Sequence, residues 1–145
     1  MDWGEIMTTV RIRSKDYEFT GVLHEDKAPK TCEIFRNMLP IQTEFIHVRW
    51  SGEGVWIPYG DTRLSLEYEN HITYPAPGEM LLYPGGISEM EFILSYGRCA
   101  FACQYGPLAG NHFMTIVGGF ENLYSFGRMV LLNGAQKVDI EIATE

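Results

Sequence analysis

The chain has 145 residues, of which 46% are hydrophobic and 21% charged, and it carries a net charge of -8 at neutral pH. One domain with a full core is what that length and mixture support. Such an acidic chain, with no run of Lys or Arg longer than a pair, repels a nucleic-acid duplex or an anionic membrane surface, so neither is an expected partner. The longest apolar run falls far short of the roughly eighteen residues a membrane span requires. The start, "MDWGEIMTTVRI", has acidic residues where a secretory leader has basic ones, and the expected location is cytoplasmic.

Residues 6–13 and 17–24, parted by the turn "SKD", alternate in hydrophobicity and predict an opening hairpin. The period then changes. Ala28, Cys32, Phe35, Met38 and Leu39 recur at helical spacing, Pro29 suits a first turn, and Pro40 ends the run. Strands at 41–50 and 54–58 follow, joined by "SGEG". The stretch 61–75 reads as a long loop holding a short strand, and "APGEMLLYPGG" as an apolar run between turn residues. Residues 89–96 and 98–105 predict a hairpin across Gly97, with a further strand at 112–117 after "PLAGN". Segment 120–132 puts Phe120, Leu123, Tyr124, Gly127, Val130 and Leu131 on one stripe and predicts a second helix. "NG" at 133–134 then turns the chain into a closing strand, "KVDIEIAT". Many short strands, two short helices, no βαβ rhythm and no internal repeat predict a mainly β fold. The expected form is a closed antiparallel barrel capped by the helices, with residues 1–145 as a single domain.

Three cysteines, Cys32, Cys99 and Cys103, cannot all pair internally. On one predicted strand Cys99 and Cys103 stand about 13 Å apart, too far for a bridge, and reduced thiols are expected. A C-x3-C pair without a second Cys/His pair does not build a zinc site. No Gly-rich phosphate loop precedes a helix. Neither a metal nor a cofactor is expected.

Several segments carry a resemblance: "APKTCEIFRNMLP", "HVRWSGEGVWIP", "PGEMLLYPGG", "GNHFMTIVGGFENL" and "GAQKVDIEI". Together they resemble the cyclophilin-like β-barrels, and within them an uncharacterised bacterial family of small cyclophilin-like proteins. The resemblance spans almost the whole chain and implies the barrel. In true cyclophilins, which isomerise prolyl peptide bonds, a strand arginine works beside a Phe–Met-x-Gln segment and a later Trp and His. Arg49 resembles that arginine in position. "VWI" at 55–57 lacks the glutamine, and the loop that supplies the Trp and His is shortened to "GGFENLYSFG".

The densest chemistry lies in "FIHVRWSGEGVWIP", residues 45–58. Strand alternation puts Phe45, His47 and Arg49 on one face, and on the other Ile46, Val48 and Trp50, an apolar set expected in the core. Arg49 then needs a partner, since an unpaired buried guanidinium costs several kcal/mol. Glu53 across the turn, or an anionic ligand, would supply it. Trp56 offers a flat face for stacking. In "LAGNHFMTI", Asn111 and His112 point to opposite faces if extended, and His112, which when unperturbed titrates near neutrality, can donate, accept or act as a general base. Tyr83 and Glu89 flank the turn in "LLYPGGISEMEF".

These residues predict a small-molecule-binding protein. Its cleft would be lined by Arg49, Trp56, Tyr83, Asn111 and His112, with Glu53 and Glu89 at the edge, and would suit a small carboxylate or amide metabolite. A second reading is an enzyme acting on such a compound, with His112 or Glu53 as general base and Arg49 as electrostatic stabiliser. A third is a peptide-binding module or degenerate prolyl isomerase. Aromatic residues make up 13% of the chain and there are seven methionines. A homodimer or higher homo-oligomer would cover the apolar surface left over.

Overall fold

A computed structural model describes residues 7–144. The opening hairpin is β1 (Thr9–Ser14) and β2 (Tyr17–Leu23), in register from Thr9 opposite Val22 to Ser14 opposite Tyr17; residue 6 of the predicted first strand lies outside the described residues. Helix α1 (Pro29–Met38) follows, with proline in its first turn. It buries Cys32 and Phe35, and Ala28 just before it, while Met38 and Leu39 pack at the margin of the core.

The chain then runs through β3 (Ile41–His47), β4 (Gly52–Pro58), a short β5 (His71–Ile72) inside the long loop, and β6 (Glu79–Tyr83). After these come β7 (Glu91–Cys99), the two-residue strands β8 (Ala102–Cys103) and β9 (Gly106–Pro107), and β10 (Gly110–Gly118). A 3-10 turn (Phe120–Asn122) leads into helix α2 (Leu123–Asn133), and β11 (Gln136–Thr144) ends the chain.

The main sheet runs β2-β1-β11-β3-β4-β7-β6-β10, and β10 pairs back onto β2, so eight antiparallel strands close into a barrel. Closure removes the open edges that a flat sheet would expose to other chains. The expected mainly β architecture, a closed antiparallel barrel with two helices, is therefore what the chain adopts. Side chains fill its interior. Phe35 from α1 meets the Phe92 and Phe113 rings at one end. Phe126 from α2 meets Tyr17, Phe19 and Phe45 at the other.

A second, smaller core lies on the outside of the wall. On β6 and β7, Met80, Leu82, Phe92 and Leu94 belong to the interior cluster, whereas Leu81, Tyr83 and Ile93 belong to a separate one with Phe101 and Leu108. Alternate residues of a strand face opposite ways, so these strands are buried on both faces. The segment 100–108 covers the outer face and supplies Phe101 and Leu108.

Several local expectations are corrected. Gly97 is not a hairpin turn. β7 continues through it to Cys99, and the Glu53 carboxylate lies close over the space a side chain at 97 would take. Residues 98–105 are accordingly the end of β7, a turn and β8 rather than a second long strand, and all three cysteines are free. The apolar face of 45–50 is also reversed. Phe45 is the fully buried residue, Ile46 and Val48 are half-buried, and Trp50 is 58% exposed. β3 stops at His47 and the chain bends at 49–50, so alternation carries no information beyond that point. On α2 the buried face is Leu123, Phe126, Gly127 and Val130, while Phe120, Tyr124 and Leu131 are exposed. The helical frame starts after the 3-10 turn, which rotates the stripe away from the predicted one.

Candidate functional site

A cleft of about 590 Å³ opens on the outer wall, next to the second core. Its volume is in the range that small-molecule sites occupy. Four segments enclose it: residues 48–51 from the β3–β4 connection, 60–63 from the loop after β4, 86–89 before β7, and 102–105 around β8. Trp56 on β4 and Glu91 at the start of β7 rise from the sheet between them. Trp56 sits opposite Ile93 in the β4–β7 ladder, and packs against the outer core with part of its ring exposed.

Of the residues singled out from the sequence, Arg49, Trp56 and Glu89 line this cleft together. Tyr83 stands just behind it: its side chain is buried in the outer core, and its hydroxyl accepts the Ile87 N–H at 3.1 Å, which anchors the 86–89 rim. Arg49 does not pair with Glu53. No hydrogen bond or ion pair to its guanidinium occurs among the described residues. Glu53 instead accepts the Arg98 N–H at 2.8 Å and the Tyr124 hydroxyl at 2.9 Å. Those two donors, the backbone amide first, hold its carboxyl below the usual glutamate range. Glu53 thus ties α2 to the end of β7 and is not among the cleft residues.

Asn111 and His112 lie elsewhere on β10. Asn111 is 1% exposed and fully engaged: its amide donates to the Thr31 hydroxyl and the Glu67 carbonyl, and its oxygen accepts the Glu69 N–H. It fastens the long 61–75 loop to α1 and the barrel. His112 belongs to a separate cluster, in which its Nε2 is 2.9 Å from the Thr115 hydroxyl and His24 Nε2 is 2.7 Å from that same hydroxyl. Glu79 stands 3.6 Å from His112. A single hydroxyl proton cannot serve both rings as donor, so at least one imidazole donates. Burial pushes both imidazoles below their ordinary value, with Glu79 opposing that shift at His112. The guanidinium and the indole therefore share a hollow, and the imidazole does not. His47, on the same strand as Phe45, is held by Tyr96 at 2.7 Å and the Val48 carbonyl at 2.8 Å.

Sequence reading missed Glu91, Arg63, Trp50 and Tyr105, which all line the cleft. Glu91 is the most informative. It is 5% exposed, and no hydrogen bond or ion pair to its carboxyl occurs among the described residues. Burial, with repulsion from Glu89, pushes it up to about 8. The signal was in "EMEFILSY": a carboxylate opening an otherwise unbroken apolar strand either stays at the surface or has a use inside. Arg63 rests its guanidinium against Gly86, whose positive φ of 138° is one that favours glycine.

A closed eight-stranded antiparallel barrel, filled inside and carrying a charged, indole-walled cleft on its outer face, is the class of protein that this arrangement defines. Residues 10–142 match the family described as "Protein of unknown function (DUF3830)", and the chain belongs to that family. Among solved structures it is similar to McbB in complex with tryptophan, with a TM-score of 0.69 and 16% identity over 91% of this chain and 44% of McbB. The chain thus spans less than half the length of McbB. It is also similar to the solution structure of the hypothetical protein AF2241 from Archaeoglobus fulgidus, with a TM-score of 0.60 and 20% identity over 99% of this chain and 100% of that one. At such identities the likeness concerns the fold alone. No curated protein sequence matches the chain.

Proposed function

We propose that the protein binds a small carboxylate- or amide-bearing molecule in the outer cleft, between Arg49 and Trp56. The observation that carries this reading is the combination of charge and shape. Two guanidinia, those of Arg49 and Arg63, face a hollow of about 590 Å³ without an ion-pair partner among the described residues, beside an indole and a buried carboxyl. A guanidinium fork matches a carboxylate bidentately, and an indole face supplies apolar area with definite orientation. McbB, a longer protein that includes a similar barrel, has been solved in complex with tryptophan. A compact molecule with a ring and a carboxylate is thus a sensible first probe here.

An enzyme acting on such a molecule is the second reading; His112 and Glu53 do not line the cleft, and Glu91, pushed up to about 8, is the group we would assign to proton transfer there. We also retain, as parts of this proposal, kinship with cyclophilin-like barrels in a bacterial cytoplasmic protein, and assembly as a homodimer or higher homo-oligomer. No helix among the described residues is long and apolar enough to cross a membrane.

A thermal-shift screen of small aromatic acids and amides tests the reading. A ligand that prefers the native state raises the melting temperature by mass action, by about 2.7 kcal/mol of stability at a hundred times its Kd. Arg49→Ala is expected to abolish the shift given by acids while leaving the unliganded melting temperature unchanged, because the side chain is exposed and unpaired. Acids that stabilise wild type and Arg49→Ala equally would place the binding site elsewhere.

A further inference from the structure

If the cleft is a small-molecule site, as proposed above, its charges narrow the class of molecule. Arg49, Arg63, Asp61, Glu89 and Glu91 all line one hollow, yet no ion pair joins any two of them. Opposite charges on one surface gain by pairing unless the backbone holds them apart. Here they come from separate segments: Arg49 from the β3–β4 connection, Asp61 and Arg63 from the loop after β4, Glu89 and Glu91 from the entry to β7. Glu91 is the strongest clue. Its side chain is 5% exposed, lines the cleft and lacks a polar partner among the described residues. No fully buried side-chain polar atom lacks a partner among the described residues, so the Glu91 carboxyl keeps its remaining access to solvent at the cleft, and a ligand that fills the cleft has to replace that water with a polar group.

We propose that the ligand is a zwitterion, its carboxylate held by Arg49 and Arg63, its ammonium group by Glu91 and Glu89, and its apolar body against Trp56. A ligand with an acid alone covers Glu91 and takes away its water without offering it a polar partner. An ammonium group brings three donors and a positive charge, which satisfies Glu91 and relieves its repulsion with Glu89. Binding then moves a proton. Free Glu91, pushed up to about 8, carries its proton at neutral pH, and an arriving ammonium ionises it, with the proton passing to solvent. The titratable and charged groups around Glu91 are Glu89 on its own segment, Cys99 at the far end of β7, Asp61 and Arg63 from the loop after β4, Arg49 from the β3–β4 connection, Cys103 from β8, Tyr105 in the turn after it, and Tyr83, its ladder partner on β6.

Titration calorimetry of the full chain at pH 7 with three probes tests this: L-tryptophan, indole-3-propionate, which lacks the amine, and tryptamine, which lacks the carboxylate. Tryptophan is expected to bind at least tenfold more tightly than either of the others. It should release close to one proton per molecule bound, read from the dependence of the heat on the buffer's ionisation enthalpy. Glu91→Gln, nearly isosteric, should bring tryptophan down to the affinity of indole-3-propionate and abolish the proton release, with indole-3-propionate itself unaffected. Indole-3-propionate binding as tightly as tryptophan, or no proton release sensitive to Glu91→Gln, overturns the zwitterion and leaves the carboxylate site standing. No heat from any of the three overturns both.

Discussion

Glu91 concentrates the competition between burial and charge in one residue. Its carboxyl, ordinarily titrating at 4.5, is pushed up to about 8. Between those values the folded chain keeps a proton that the unfolded chain has shed, so stability falls as pH rises through that window and the loss is complete above about 8. At about 1.4 kcal/mol for each tenfold in the protonation equilibrium, the loss is on the order of 5 kcal/mol at most. His24 and His112 act oppositely. Burial lowers both imidazoles, so their contribution is present above their unfolded value of 6.5 and is lost as pH falls through their folded values. Melting curves from pH 5 to 9 are therefore expected to show Glu91→Gln close to wild type near pH 5 and more stable than it above pH 8. Curves that stay parallel across the whole range would mean that Glu91 is not buried in its neutral form. Arg49 and Trp56 were legible as site residues because a cation and an indole in one short hairpin are unusual. Glu91 was passed over for Glu89, two positions earlier, because alternation says which face a side chain takes but not what lies over that face.

The secondary elements followed from local pattern wherever one face of a segment is apolar: β1, β2, α1 and β11 were all legible in that way. β7 was harder, because it is buried on both faces and reads as a continuous apolar run in which a single glycine mimics a turn. Gly127 on α2 is the informative helical glycine. A methyl group there would overlap the ring of Tyr96, which holds His47 through its hydroxyl. Alanine is a better helix former than glycine by about 1 kcal/mol, so on propensity alone Gly127→Ala should stabilise. Overpacking of this kind costs typically 1–3 kcal/mol and the overlap is with a ring that cannot fold away, so we expect a net destabilisation of about 1–2 kcal/mol, a fall of several degrees in melting temperature. An unchanged or raised melting temperature would show that α2 has room to shift against β7.

For the molecule as a whole, closure of the sheet decides where a site can be. The interior is filled by aromatic and aliphatic side chains from all eight strands and both helices, so a cleft has to lie on the outer wall, under the loops after β4 and before β7 and the turn around β8. The same closure leaves α2 with an outer face bearing Tyr124, Leu131 and Leu132, the last 72% exposed. A second copy of the chain would cover such a face by twofold symmetry, as the proposed homodimer requires. Sedimentation at micromolar concentration is expected to give a dimer, and Leu132→Glu a monomer with wild-type melting behaviour when dilute. A monomer in wild type would remove the dimer from the proposal.

By itself the sequence determined the strand-rich pattern, two helices and the short hairpin that carries Arg49 and Trp56, because each of these rests on spacing within a few residues of its neighbours. Tertiary structure alone decided that His112 and Asn111 stand apart from that hairpin, that Glu53 binds a helix tyrosine rather than Arg49, and that Glu91 and Arg63 join the cleft. These are contacts between segments far apart along the chain. Their geometry depends on how the barrel closes and on which loop folds over which face, and no local periodicity records either.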